Sequence, residues 1–186
     1  HFILKLQDTR TIFSCSLDGS FLSSIMFDEQ FTKAFIHDKL NFTTMGPYKI
    51  IEELKKHAKS LGIENQIHFL GFRTDIMELS LMADFFMFAS LQEGLPRSTM
   101  EAMCAGKPCI VSKIRGHVDL IDEGKGGFLI SPLDADGFAE AIKRLIGDSI
   151  LREEMGKYNK EKVKAFDIEV VKSKMLEIYQ EILNCD

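Results

Sequence analysis

Short apolar runs alternate along the chain with longer stretches in which apolar residues recur every three or four positions. Strands buried on both faces need continuous apolarity, whereas helices bury only one stripe, so this alternation predicts a parallel sheet covered by helices on both sides. The runs Thr11–Ser16, Lys39–Met45, Gln66–Leu70, Phe85–Ala89, Pro108–Ser112 and Gly127–Ile130 predict six parallel strands, a Rossmann-like, doubly wound α/β count. Between them, Pro47–Leu61 predicts a helix with Ile50, Ile51, Leu54 and Leu61 on one side and Gly62 placed to stop it. Ile76–Met82 predicts a shorter helix begun by Thr74 or Asp75 as N-cap. The clearest period lies in Asp136–Ile146, where Phe138, Ala141, Ile142, Leu145 and Ile146 share a stripe and Gly147 is the expected terminator. Beyond Asp148 the pattern is helical throughout, and its Lys/Glu-rich positions predict a solvated face. Leu17–Ile36 reads as a loop followed by a helix.

A length of 186 residues with 45% hydrophobic content supports one core and one domain, with residues 1–10 as a leading segment and 149–186 as extra C-terminal helices. A net charge of -5 without long single-sign blocks gives no electrostatic footprint for nucleic acid. No apolar run approaches the ~20 residues of a membrane-spanning helix, and the N-terminus HFILKLQDTR lacks the apolar stretch of a secretory signal, so a cytoplasmic location is expected. Cys15, Cys104, Cys109 and Cys185 are scattered without a CxxC pair and read as reduced structural thiols.

The chemistry concentrates in Phe85 to Ile130, FFMFASLQEGLPRSTMEAMCAGKPCIVSKIRGHVDLIDEGKGGFLI. A buried strand ends near Ala89, a loop carries Glu93 and Gly94, Pro96 suits the start of a helix, and Glu101 lies on that helix. Open α/β sheets bind ligands beyond the carboxyl ends of their strands, and this loop is at one of them. A helix N-terminus offers unpaired backbone N–H groups and the positive end of a dipole; with Gly94 allowing close backbone approach, an anion such as a diphosphate fits. Carboxylates are acceptor-only groups suited to neighbouring hydroxyls of a ribose or hexose, so Glu93 and Glu101 could grip an anionic, polyhydroxylated ligand at both ends. Elsewhere, Asp134-Ala135-Asp136 spells a DxD but stands where an N-cap would. Met100 and Met103 suit core packing. His1, His37, His57 and His68 fall in no ligand pattern. His117 reads either as a solvated loop residue or as a ligand contact.

Glu93 and Glu101 form an E-x7-E pair inside EGLPRSTMEAMCAGKPCIVS, which resembles the signature of the family 4 retaining glycosyltransferases of the GT-B type. MGPYKIIEELKKHAKSLGIENQIHFLGFRTDI and IRGHVDLIDEGKGGFLISPLD resemble the family's flanking segments, and the likeness runs from about Lys39 to about Leu145. The resemblance implies that this chain is the C-terminal, donor-binding half of a GT-B architecture. It implies that Glu101 binds ribose hydroxyls, and that Glu93 acts at the catalytic centre, where it contacts the donor sugar and phosphate with the backbone of Gly94, Leu95 and Pro96. Arg97 neighbours the phosphate site, Gly71, Phe72 and Arg73 line the nucleobase pocket, and Gly116 and His117 belong to the loop that closes over the donor.

By the same resemblance, the partners are a nucleotide-diphosphate sugar, an absent N-terminal Rossmann-like domain that carries the acceptor site, and a glycan or lipid-linked acceptor. No metal or other cofactor is expected, and any attachment to the inner face of the membrane would come through the absent half. The implied reaction is sugar transfer with retention, and IRGHVDLI resembles bacterial capsular and exopolysaccharide enzymes. Relatives place an Arg and a Lys in the loop after the first strand; here that loop reads SLDGSFLSS without a cation, leaving Arg97, Arg115, Arg73 or Lys33 to take their part. A nucleotide-sugar-binding pseudoenzyme and a GT-B-fold sugar-nucleotide epimerase are the alternative readings.

Overall fold

The computed structural model describes residues 11–15, 41–45, 48–71 and 73–184. Six strands form one sheet: β1 Thr11–Cys15, β2 Asn41–Met45, β3 Ile67–Phe69, β4 Phe85–Phe88, β5 Cys109–Ser112 and β6 Gly127–Ile130. Their order is β3-β2-β1-β4-β5-β6, with every neighbouring pair parallel. The strand order therefore runs from β1 at mid-sheet outward to β3, and returns across β1 to run outward the other way. The switch point lies between β1 and β4, from which the strand order runs to β2 on one side and to β5 on the other, and sheets of this kind bind ligands at the carboxyl edge there. All six expected strands are present. The expected loop and helix over Leu17–Ile36 lie outside the described residues.

The helices are α1 Tyr48–Ser60, α2 Ile76–Met82, α3 Arg97–Cys104, α4 His117–Leu120, α5 Ala135–Gly147, α6 Ser149–Val163 and α7 Ile168–Leu183. Alternating side chains of the central strands face opposite layers, as the two-residue period of a strand requires. Phe85, Met87, Ile110 and Phe128 pack with Leu54 and Ala58 of α1 and with Phe138, Ile142 and Leu145 of α5. Phe86, Phe88, Cys109 and Val111 pack instead with Ala102 and Met103 of α3 and Leu120 of α4. Phe85, Phe86 and Phe88 are at most 2% exposed, so each ring contributes roughly 1.5–3 kcal/mol of hydrophobic stabilisation. Burial also pushes the Cys109 thiol far above its ordinary range, which fits an inert structural cysteine; Cys104 is exposed and unpaired.

Helix ends follow their local chemistry. Gly62, at φ 70°, closes α1 with Ile63 N–H donating to the Ala58 carbonyl at 3.0 Å and Gly62 N–H to Lys59 at 3.1 Å. Gly106, at φ 69°, closes α3 in the same way through Lys107 to Ala102 and Gly106 to Met103. Gly147 does not act as the expected terminator. It is the last residue inside α5, and the turn is made by Asp148, whose extended backbone ends one helix while its carboxylate caps the next at Leu151 N–H. Asp134 caps α5 by accepting from Gly137 N–H at 2.8 Å, which is how half of the DxD is used. Asp75 occupies the N-cap position of α2, but its two carboxylate oxygens accept from Nε and Nη2 of Arg73.

The Lys/Glu-rich C-terminal helices are not uniformly solvated. Met155 of α6 joins the core layer of α1 and α5, while Val163 packs against the layer of α3, so α6 wraps from one face of the sheet to the other. Asn159, fully buried, donates through Nδ2 to the carbonyls of Lys107 at 2.8 Å and Gly126 at 2.7 Å, tying α6 to the turns before β5 and β6. Asp122 accepts from Lys162 Nζ at 2.8 Å and from the Tyr158 hydroxyl, and these two donors hold its carboxyl below the ordinary carboxylate range. Helix α7 buries none of its residues and exposes Ile168, Leu176, Ile182 and Leu183 beside its charged positions.

A β-carbon at Gly156 would sit 2.1 Å from the Gly106 carbonyl oxygen, so α6 reaches the α3 terminus only because this position is glycine. Gly156→Ala should therefore lower the melting temperature by several degrees, because an overpacking cost of ~1–3 kcal/mol outweighs a helix-propensity gain of at most ~1 kcal/mol. An unchanged or higher melting temperature by circular dichroism would show that α6 can retreat without cost.

Candidate functional site

The loop Ala89–Pro96 leaves β4 at the switch point and delivers the chain into α3. Pro96 occupies the N-cap position of α3 and its side chain forms no capping bond. Its carbonyl takes the N–H groups of Thr99 at 3.2 Å and Met100 at 3.3 Å. The amides of Arg97 and Ser98 come before the first helical donor, Thr99, so no helical carbonyl takes them, and they and the positive end of the helix dipole face outward. Glu93 stands half-buried in the loop, and Glu101 stands about 6 Å along the axis from Arg97. Sequence reading thus located both carboxylates on the elements it expected.

The neighbouring residues divide into open and locked positions. Gly94 has no atom within 4 Å of where a β-carbon would stand, so a side chain there would project into open volume that a ligand could use. Leu95 is exposed and Pro96 buried. Arg97 reaches Glu101 at 4.0 Å with its side chain 87% exposed, a pairing worth roughly 0–1 kcal/mol that leaves both groups available. Gly71 follows β3 at φ 64°, and Arg73 is engaged with Asp75. Three strand spacings separate β3 from β4, which puts the two loops about 14 Å apart along the same edge. Phe72, Lys33 and the loop Ser16–Ser24 lie outside the described residues.

The second loop, after β5, interlocks with the first. Gly116, at φ 83°, is so close to it that a β-carbon would fall 2.3 Å from the Gly94 carbonyl oxygen and 3.2 Å from that of Glu93. His117 is fully buried, which corrects the reading of a solvated loop residue: the imidazole lies edge-on to Phe88 at 5.3 Å, beneath the turn it begins. Because a carbonyl only accepts, the 2.9 Å contact with Ser112 O means that Nδ1 carries the hydrogen and donates. Nε2 is then an acceptor when the ring is neutral, and it is buried without a partner among the described residues. Desolvation lowers the His117 pKa, while the bond to Ser112 opposes that shift.

Two participants escaped the sequence reading. Ser90 N–H donates to Ser112 Oγ at 2.8 Å, and Ser90 Oγ donates to Glu93 Oε1 at 3.0 Å. The serines are 22 positions apart and meet only because β4 pairs with β5. A hydroxyl residue ending each of two buried runs was the one available signal. Among the described residues no cluster of His, Cys, Asp and Glu could hold a metal ion.

The sheet order defines an open, doubly wound α/β domain, matched by solved structures. Anabaena HepE in complex with UDP superimposes with a TM-score of 0.80 at 23% identity, over 94% of this chain and 49% of that one. The C-terminal domain of the glycosyl transferase group 1 family protein LpcC from Francisella tularensis superimposes with a TM-score of 0.72 at 22% identity, over 86% of this chain and 87% of that one. The fold is thus that of the C-terminal half of GT-B glycosyltransferases.

Residues 29–162 match the family described as "Glycosyl transferases group 1", and the chain belongs to that family. The Escherichia coli UDP-Gal:alpha-D-GlcNAc-diphosphoundecaprenol alpha-1,3-galactosyltransferase is 34% identical over 111 residues, which are 59% of this chain and 29% of that protein. The chain therefore spans less than a third of that relative and about half of HepE.

Gly116→Ala would place a non-glycine residue at positive φ and against a backbone carbonyl; a loss of stability of more than ~1 kcal/mol is expected in urea unfolding, with displacement of the Glu93 loop. The His117 pKa lies below the ordinary 6.5, so as pH falls the unfolded chain takes up this proton first. Stability from this group should be complete above about pH 6.5 and decline below it toward the folded pKa, and His117→Gln should flatten that part of the unfolding profile.

Proposed function

We propose that this chain is the donor-binding domain of a retaining glycosyltransferase that moves a sugar from a nucleoside diphosphate sugar to a glycan or lipid-linked acceptor. The observation that carries the reading is the uncapped N-terminus of α3 with Glu93 before it and Glu101 on it, at the switch point of the sheet. In this assignment the Arg97 and Ser98 amides and the Arg97 guanidinium hold the diphosphate, with no metal required. The Glu101 carboxylate accepts from the ribose hydroxyls, and Glu93 acts at the reacting end, against the donor sugar and its phosphate. Gly94 and Leu95 give backbone contacts across the open volume, Gly71, Phe72 and Arg73 line the base, and Gly116 with His117 backs the Glu93 loop.

The names of similar proteins support the assignment, since HepE is described with UDP and the Escherichia coli relative with UDP-Gal and a diphosphoundecaprenol acceptor. A polysaccharide role and an N-terminal acceptor-binding domain belong to the same proposal. Developing negative charge on a departing diphosphate needs preorganised donors, and the cation-free sequence Ser16–Ser24 favours a second reading, a domain that binds donor without turning it over. Release of UDP from donor by a full-length protein containing this chain separates the two.

Calorimetric titration with UDP, GDP and their common sugar conjugates should give saturable binding to one base, and Glu101→Ala should weaken it by ~1.5–3 kcal/mol, the cost of losing a charged hydrogen-bond acceptor. Absence of binding up to millimolar ligand, or binding indifferent to Glu101→Ala, would overturn the donor-site assignment.

A further inference from the structure

We propose that Ser90 is a positioning residue that fixes the Glu93 carboxylate for the donor sugar, an inference that rests on the donor-site reading above. A hydroxyl has one proton to give, and two acceptors compete for that of Ser90: Glu93 Oε1 at 3.0 Å and the Gln92 carbonyl at 3.3 Å. The carboxylate is both nearer and charged, so it takes the proton. Oε1 is thereby occupied and the carboxylate plane is set, leaving Oε2 to accept from a ligand hydroxyl.

Ser90 is itself held firmly enough to act in this way. Its N–H is bound by Ser112 Oγ at 2.8 Å, Ser112 is fully buried, and the Ser112 carbonyl is bound by the His117 imidazole at 2.9 Å. The β4–β5 pairing, which sets Phe88 opposite Val111, brings the two serines together as the strands end. Gly116 braces the same loop from the other side, against the carbonyls of Glu93 and Gly94. The orientation of Glu93 is therefore carried from two buried strand ends through one serine side chain. A serine that only satisfied its own polar groups would not need an acceptor that is half-exposed and at the proposed reacting end of the site.

The test compares UDP with its sugar conjugate, because the ligand hydroxyls assigned to the Glu93 carboxylate belong to the donor sugar, which UDP lacks. Wild type, Ser90→Ala and Ser90→Thr are titrated with UDP and with whichever of UDP-glucose, UDP-galactose and UDP-N-acetylglucosamine wild type binds best. Ser90→Ala should weaken the conjugate about three- to tenfold while changing UDP less than twofold, and Ser90→Thr, which keeps the hydroxyl, should recover most of the loss. In a Glu93→Ala background, Ser90→Ala should add nothing further. Equal weakening of both ligands, or none, would overturn the positioning role while leaving the donor site standing. UDP binding by each variant reports that it is folded. A wild-type chain that binds neither ligand, nor GDP and its sugar conjugates, would overturn the donor site and the role of Ser90 together.

Discussion

Strand β4 is the constraint on which the rest of this domain depends. It lies between β1 and β5, and its four residues are buried from both sides, so Phe85 and Met87 anchor one helical layer while Phe86 and Phe88 anchor the other. Three phenylalanine rings on one strand hold roughly 5–9 kcal/mol of hydrophobic stabilisation, far more than the exposed ion pairs of the surface helices supply. That rigidity is passed on to the proposed site, because β4 ends at Phe88 and the segment that carries Ser90, Glu93 and Gly94 into α3 follows directly.

Past that point the site is held by close backbone approach and short polar contacts. Gly116 lies against the carbonyls of the Glu93–Gly94 segment, and the Ser90–Ser112–His117 chain ties the same loop to β5. Buried hydrogen bonds of this kind are costly to leave half-made, which ties the two loops to each other. The Arg97–Glu101 contact is the opposite case: long, exposed and weak, it leaves both side chains free for a ligand. The protein thus fixes Glu93 from behind and leaves Glu101 and the α3 amides open in front.

The C-terminal helices show how one residue type can decide packing. Without a side chain at Gly156, α6 closes onto the Gly106 carbonyl, and Asn159 can then bind two turn carbonyls at once. Through these contacts α6 clamps the turns that precede β5 and β6, and so supports the strand that carries Ser112. Helix α7 follows without joining either core layer.

Much of this could be read from the amino-acid sequence, because the relevant physics is local. Continuous apolar runs marked the six strands, the 3.6-residue stripe marked α5, Gly62 marked the end of α1, and the spacing of Glu93 and Glu101 marked the loop and helix of the site. Those signals are written in residues within a few positions of one another. Gly147 misled because an aspartate in the next position caps the following helix and ends α5 by itself. His117 misled because its loop sequence gives no sign that Phe88, 29 positions earlier, lies against its ring. The meeting of Ser90 with Ser112, the lock between Gly116 and Gly94, and the burial of His117 Nε2 without a partner among the described residues were decided only in the tertiary structure. They arise where β4 and β5 come side by side, and parallel pairing joins residues whose separation in the chain no local pattern records.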